Sequence, residues 1–167
     1  MRRDELSAAE YVVRPRNKAA GAHPPESLEK LASVRELSGP TRGWVATLRS
    51  AARTAREGWE TLAAELGPDY DVVPALVTED GTLRYPTGLV TLRFASSPSD
   101  AAIESLARRF ELELVQRSKF TTQQALFRPA KAKSVFLPDL AESLSTAKDV
   151  QASWLDAESA YVRQRTS

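Results

Sequence analysis

GLVTLRFASSPSDAAIESLARRF (residues 88–110) changes its apolar period once, and that change decides the fold class. Val90, Leu92 and Phe94 fall on alternate residues, the pattern of a strand with one covered face. Ile103, Leu106, Ala107 and Phe110 then fall at i, i+3, i+4 and i+7, the stripe of a helix. Between them Ser97 is the expected N-cap, Pro98 the first helical residue and Asp100 a first-turn anion at the positive end of the helix dipole. Downstream, LELVQRS and QQALFRP read as two strands joined at KFTT (residues 119–122), and KAKSV as a loop. LPDLAESLSTA (residues 137–147) reads as a second helix, with Pro138 near its start and Leu140 and Leu144 facing inward. SWLDAESAYVR (residues 153–163) closes the series as a strand. The order is β-α-β-β-α-β.

Working back from residue 88, the same order precedes it. EYVVRPR (residues 10–16) is rich in β-branched residues and reads as a strand. ESLEKLA follows Pro25 and puts Leu28 and Leu31 on one helical face. SVRELS reads as a strand and SGPTRG as a turn. GWVATLR (residues 43–49) alternates, with Trp44, Ala46 and Leu48 on one face. SAARTAREGWETLAAEL (residues 50–66) carries Ala52, Ala55, Trp59, Leu62 and Leu66 at helical spacing, and GP closes it. YDVVPALV (residues 70–77) returns as a strand, where Pro74 implies an edge or a bulge. TEDGTLRYPT reads as a connector, with a short strand at TLRY as an option. The expected fold is α+β: two tandem ferredoxin-like β-α-β-β-α-β units, each an antiparallel sheet with helices on one face. Residues 1–78 form the first unit, 79–87 the connector, and 88–167 the second unit with a C-terminal tail.

Composition removes several function classes. The charge is nearly balanced, with 23 basic and 22 acidic residues, where a dedicated nucleic-acid or membrane-surface binder carries a basic excess. No cysteine is present, so disulfides and thiolate metal sites are excluded. The only histidine, His23, stands in the loop-like GAHPPES, which leaves no multi-histidine metal cluster and makes it the sole acid–base histidine. No G-x-S-x-G elbow and no phosphate-binding glycine loop occur. EDG at residues 79–81 lacks the spaced ligands of an EF-hand and reads as a turn. Pairs such as Arg56 and Glu60 read as solvated helix faces. An RNA-recognition reading needs base-stacking aromatics on central strands, whereas Phe94 and Phe127 read as core. The expectation is a non-enzyme with no cofactor and no metal, binding neither nucleic acid nor membrane. The N-terminus lacks the apolar run of a secretory signal, and no window reaches the roughly 20 apolar residues of a membrane span. With Met1 as the natural start, the expected location is cytoplasmic.

YPTGLVTLRFASSPSDAAIESLARRFELELVQRS (residues 85–118) resembles the N-terminal prodomain of subtilisin-like serine proteases, especially the longer fervidolysin-like bacterial kind. The shared pattern begins at Pro-Thr and a V-x-L-R-F strand. It continues through a Ser/Pro-opened helix with an isoleucine–leucine stripe and then a second strand. QALFRPA stands where the family has a YLVRVP-type strand. Ala157, Glu158, Ser159, Ala160, Tyr161 and Val162 stand where it closes on Ala-Glu-Pro-Asn-Tyr-Val, with Ser159 replacing the usual proline. The resemblance spans about residues 73–163, and the first half matches as an extra module before the prodomain.

The resemblance implies an inhibitor and folding chaperone of a subtilisin-like protease, whose sheet packs on two surface helices of the enzyme. The C-terminal segment of such a domain lies in the substrate cleft as an added strand, fixed by main-chain hydrogen bonds and alternate side-chain pockets. It assigns Tyr161 to a pocket at the start of that segment and Val162, Arg163, Gln164 and Arg165 to its continuation. Glu158, with Asp156 as second choice, is assigned to the N-termini of the enzyme helices, where the dipole favours a carboxylate. The chain stops where a catalytic domain would follow, so the expectation is a separately encoded protease partner, or a prodomain released from a longer precursor. The competing expectation is a non-catalytic interaction module, or a protease substrate, in an intracellular regulatory or defence pathway.

Overall fold

The computed structural model describes residues 5–16, 23–37, 42–130 and 135–159. The fold is α+β, with eight strands of an antiparallel sheet and four helices among the described residues. In chain order these are β1 (Glu5–Pro15), α1 (Glu26–Leu31), β2 (Ala32–Glu36), β3 (Trp44–Leu48), α2 (Ala55–Leu66) and β4 (Tyr70–Val77), then β5 (Leu83–Phe94), α3 (Asp100–Phe110), β6 (Leu112–Arg117), β7 (Gln124–Pro129), α4 (Leu137–Ser145) and β8 (Val150–Ser159). Two compact units divide the chain: Met1–Thr87 together with Ala157–Ser167, and Gly88–Asp156.

In the first unit the strands run in the order β2-β3-β1-β4, with the first residues of β5 beside β4. Alternation sorts the side chains onto two faces. Tyr11, Val13, Trp44, Ala46 and Val72 point to the face that meets Leu28 of α1 and Leu62 and Leu66 of α2. Val12, Val45 and Ala75 point the other way, into a smaller cluster with Leu37 and Tyr85. Helix α2 begins at Ala55, later than the apolar spacing predicts, because the Thr54 hydroxyl accepts from the Glu57 amide at 3.1 Å and fixes the cap there. Strand β1 begins earlier than predicted, at Glu5. Its register with β4 shifts between Leu6 and Tyr11, and the Ser7 hydroxyl accepts from the amides of Ala9 and Glu10. Pro74 stands opposite Tyr11 at the end of that irregularity, so its missing N–H coincides with a break in the partner strand.

Tyr11 anchors this core. It is fully buried, and its hydroxyl donates toward the carbonyls of Ala8 (3.0 Å) and Ala55 (3.2 Å). Burial, with the Glu57 charge nearby, pushes the phenol up to about 12. A raised folded-state pKa stabilises the fold below the unfolded value near 10, and that contribution is lost as pH rises through about 12. The wild-type chain is therefore expected to lose stability between pH 10 and 12 more steeply than Tyr11→Phe, as read by denaturant midpoints. Equal slopes would contradict the assignment.

Most of the predicted connector is strand. Only residues 78–82 turn: the Thr78 amide donates to the Thr82 carbonyl (2.8 Å), the Gly81 amide to the Thr78 carbonyl (2.9 Å), and Gly81 takes φ +85. The EDG motif is a turn rather than a cation loop. The Asp80 carboxylate accepts from the Thr78 hydroxyl and, at 3.0 Å, from the Thr82 amide. Those bonds hold its pKa at about 2.

The second unit pairs β6 with β7 and β7 with β5, and β8 also pairs with β5. Val90, Leu92, Phe94, Ala125, Phe127 and Leu155 are buried, together with Ile103 of α3 and Leu137, Ala141 and Leu144 of α4. In α4 the inward stripe is Leu137, Ala141 and Leu144; Leu140, expected to face inward, is only half-buried. Helix α3 starts later than predicted. Ser99, not Ser97, is its N-cap, and its hydroxyl accepts from the Ala102 amide at 3.1 Å. Pro98 therefore precedes the helix. Instead, its carbonyl accepts from Arg117 Nη2 at 3.0 Å, while Arg117 Nη1 meets Asp100 at 3.1 Å.

Candidate functional site

Pairing places the two faces of the second unit's sheet in sharp contrast. Directly opposed residues share a face. Val90 opposes Phe127 and Leu92 opposes Ala125, all buried. Helix α4 lies on this side, since the Ser153 hydroxyl, in step with buried Leu155, donates to the Ala141 carbonyl. Arg117, opposite Ala125, reaches the start of α3, so α3 lies there too. On the other face Thr91 opposes Leu126, Leu126 opposes Gln116, and Glu113 opposes Arg128 with an ion pair of 2.7 Å. No helix among the described residues of this unit covers it.

Large apolar side chains are exposed in this unit. Trp154 is 41% exposed, Val115 44%, and Phe120 100%. Val115 stands at the register shift between Leu114 and Gln116, where a bulge inserts an extra residue into the edge strand. A cleft of about 470 Å³ is lined by Thr91, Gln116, Lys119, Phe120, Leu126 and Asp156. Scattered exposed hydrophobics are ordinary on a monomer, so the cleft, more than the exposure, marks this side as the candidate binding surface.

The structure separates the carboxylates that the sequence singled out. Trp154, Asp156 and Glu158 fall on alternate residues of β8. Asp156 belongs to the second unit and lines the cleft. Glu158 belongs to the first unit, is half-buried, and has its Oε2 buried. Of the two, Asp156 is the one that lines the cleft. Tyr161, Val162, Arg163, Gln164 and Arg165 lie outside the described residues, in the segment that follows β8 in the chain. Sequence periodicity missed Phe120 and Trp154. KFTT carries no period, and alternation cannot say which of a strand's two faces is covered.

His23 is exposed at a bend. No group of three or more His, Cys, Asp or Glu residues that could hold a metal ion occurs among the described residues. Arg56 and Glu60 pair at 3.3 Å on an exposed helix face, an interaction of small energetic weight. No described helix is long and apolar enough to cross a membrane. No protein-family model, no curated protein and no solved structure matches the chain.

Proposed function

We propose that the chain is a prodomain-like, protease-binding protein: an inhibitor, folding chaperone, or both, of a subtilisin-like serine protease. In this reading each unit is ferredoxin-like. The strand orders β2-β3-β1-β4 and β6-β7-β5, with β8 also on β5, support it, because that fold sets its first and third strands at the centre of the sheet. The observation that carries the function is the uncovered sheet face of the second unit, with its cleft lined by Phe120 and Asp156 and with Trp154 exposed on the same strand as Asp156. Burying one such aromatic against a partner contributes about 1.5–3 kcal/mol, which accounts for one to two decades of affinity per anchor. Asp156 would sit at the N-terminus of a partner helix, where dipole and free amides favour a carboxylate. Residues 161–165 would continue beyond β8 into the protease cleft as an added strand, with Tyr161 in its first pocket.

The test is inhibition of a purified bacterial subtilisin by the full chain and by a version ending at Ala160. The full chain is expected to inhibit, and the shortened chain to inhibit at least about tenfold more weakly through lost strand pairing. Equal inhibition by both removes the tail from the mechanism. No inhibition by either removes the protease reading and leaves a non-catalytic interaction module as the function of the exposed face.

A further inference from the structure

We infer that Asp80–Gly81 is a latent modification site, at which the main chain can convert to isoaspartate, and that the turn from Thr78 to Thr82 holds it closed in the folded protein, with Thr78 as the guarding residue. The chemistry needs neither enzyme nor cofactor. The Gly81 backbone nitrogen attacks the Asp80 side-chain carboxyl carbon. A C–N bond forms, and the carboxyl OH leaves with the amide proton as water. A second water then opens the five-membered succinimide. Attack at the side-chain carbonyl restores aspartate. Attack at the main-chain carbonyl leaves isoaspartate, with the main chain routed through Cβ and the mass unchanged. Glycine is the most permissive residue at the attacking position, because it has no Cβ to obstruct the approach. Asp80 and Gly81 are both exposed, so water for the second step is at hand.

The turn opposes both requirements of the first step. A carboxylate must take up a proton before its oxygen can leave as water. The Asp80 carboxylate accepts from the Thr78 hydroxyl and, at 3.0 Å, from the Thr82 amide, and such bonds favour the ionised form. They lower its pKa from 3.8 to about 2, so the protonated fraction at neutral pH falls by about a decade or more. The Gly81 amide must also give up its proton and turn toward the carboxyl carbon. Instead it donates to the Thr78 carbonyl at 2.9 Å. Thr78 thus holds both reacting groups, the carboxylate through its hydroxyl and the amide through its carbonyl. The same hydroxyl accepts from the Thr82 amide at 3.1 Å, and the Thr78 amide donates to the Thr82 carbonyl at 2.8 Å. Gly81 takes φ +85, where an L side chain is strained, so the turn favours the very residue that makes the site reactive. Conversion would matter to the fold. A methylene added to the main chain before Gly81 displaces Thr82, and the next pairs are Val77 with Leu83 and Leu76 with Arg84, which join β4 to β5.

The experiment ages the full chain at constant temperature near neutral pH and reads isoaspartate at residue 80 by peptide mapping and mass spectrometry. Four samples are compared: folded wild type, wild type unfolded in urea, Thr78→Val and Thr78→Ser, with a thermal midpoint recorded for each variant. Folded wild type is expected to convert about tenfold or more slowly than the unfolded chain, because the turn keeps the carboxyl ionised. Thr78→Val removes the hydroxyl at nearly constant volume and is expected to convert toward the unfolded rate. Thr78→Ser keeps the hydroxyl and is expected to stay slow. Equal rates for folded and unfolded wild type would overturn the inference, and that comparison decides it even where Thr78→Val fails to fold. A folded Thr78→Val chain that converts as slowly as wild type would overturn the guarding role of the Thr78 hydroxyl.

Discussion

Gly58→Ala is expected to destabilise the chain by about 3 kcal/mol, although alanine is the better helix former by about 1 kcal/mol. Gly58 lies inside α2, where that helix crosses Tyr11 of β1. A Cβ at this position would stand 1.9 Å from the Tyr11 hydroxyl oxygen and 2.6 Å from the ring carbon that bears it, with Leu48 Cδ1 at 3.0 Å. The ring cannot yield as a surface side chain would. Tyr11 has no exposed surface, and its hydroxyl is held between two carbonyls. Relief therefore requires the helix to lift or the tyrosine to leave, and either opens the core around Leu62 and Val72. Urea midpoints of wild type, Gly58→Ala, Tyr11→Phe and the double variant check this. The double variant should recover part of the loss, since removing the hydroxyl relieves the closest contact and leaves the ring carbon. A Gly58→Ala chain more stable than wild type would show that helix propensity, rather than close packing, governs the site.

Phe127→Ala is expected to cost about 4 kcal/mol and to abolish the proposed protease binding with it. Phe127 is fully buried and pairs across the sheet with Val90 on one side and Leu114 on the other. Truncation leaves a cavity that the flanking strands cannot close without breaking register. Leu126, the preceding residue on β7, lines the cleft on the opposite face, so loss of the strand removes the proposed docking face as well. Phe127→Leu conserves most of the volume and should cost less than about 1.5 kcal/mol, with binding retained. Matching unfolding midpoints for Phe127→Ala and wild type would refute the placement of this ring at the centre of the second unit.

Where one physical signal dominated, the sequence was legible. The alternation of Val90, Leu92 and Phe94 and the stripe from Ile103 to Phe110 identify β5 and α3, because burial imposes those periods directly. The element order follows from the same signal repeated along the chain. Boundaries were less legible because they depend on single hydrogen bonds. Ser97 and Ser99 are chemically equal as caps, and only the bond to the Ala102 amide distinguishes them. The first half of β1 was missed because the register shift after Leu6 interrupts alternation. The length of β5 was underestimated because Tyr85-Pro86 reads as punctuation, yet Pro86 is buried within the strand and its carbonyl accepts from Arg14 at 3.1 Å. Of the candidate site, Asp156 and Glu158 were singled out through the resemblance at the C-terminal end. That Asp156 lines the cleft and Glu158 does not was not legible, since adjacent positions of one alternating series look identical in sequence.

Amide hydrogen exchange of the full chain, alone and with one equivalent of bacterial subtilisin, tests most directly that the uncovered face of the second unit is the docking surface. Slowed exchange at residues 118–124, along the cleft strands and in the segment after β8 is the predicted result. Slowing confined to residues 5–77, or no change at all, would contradict it.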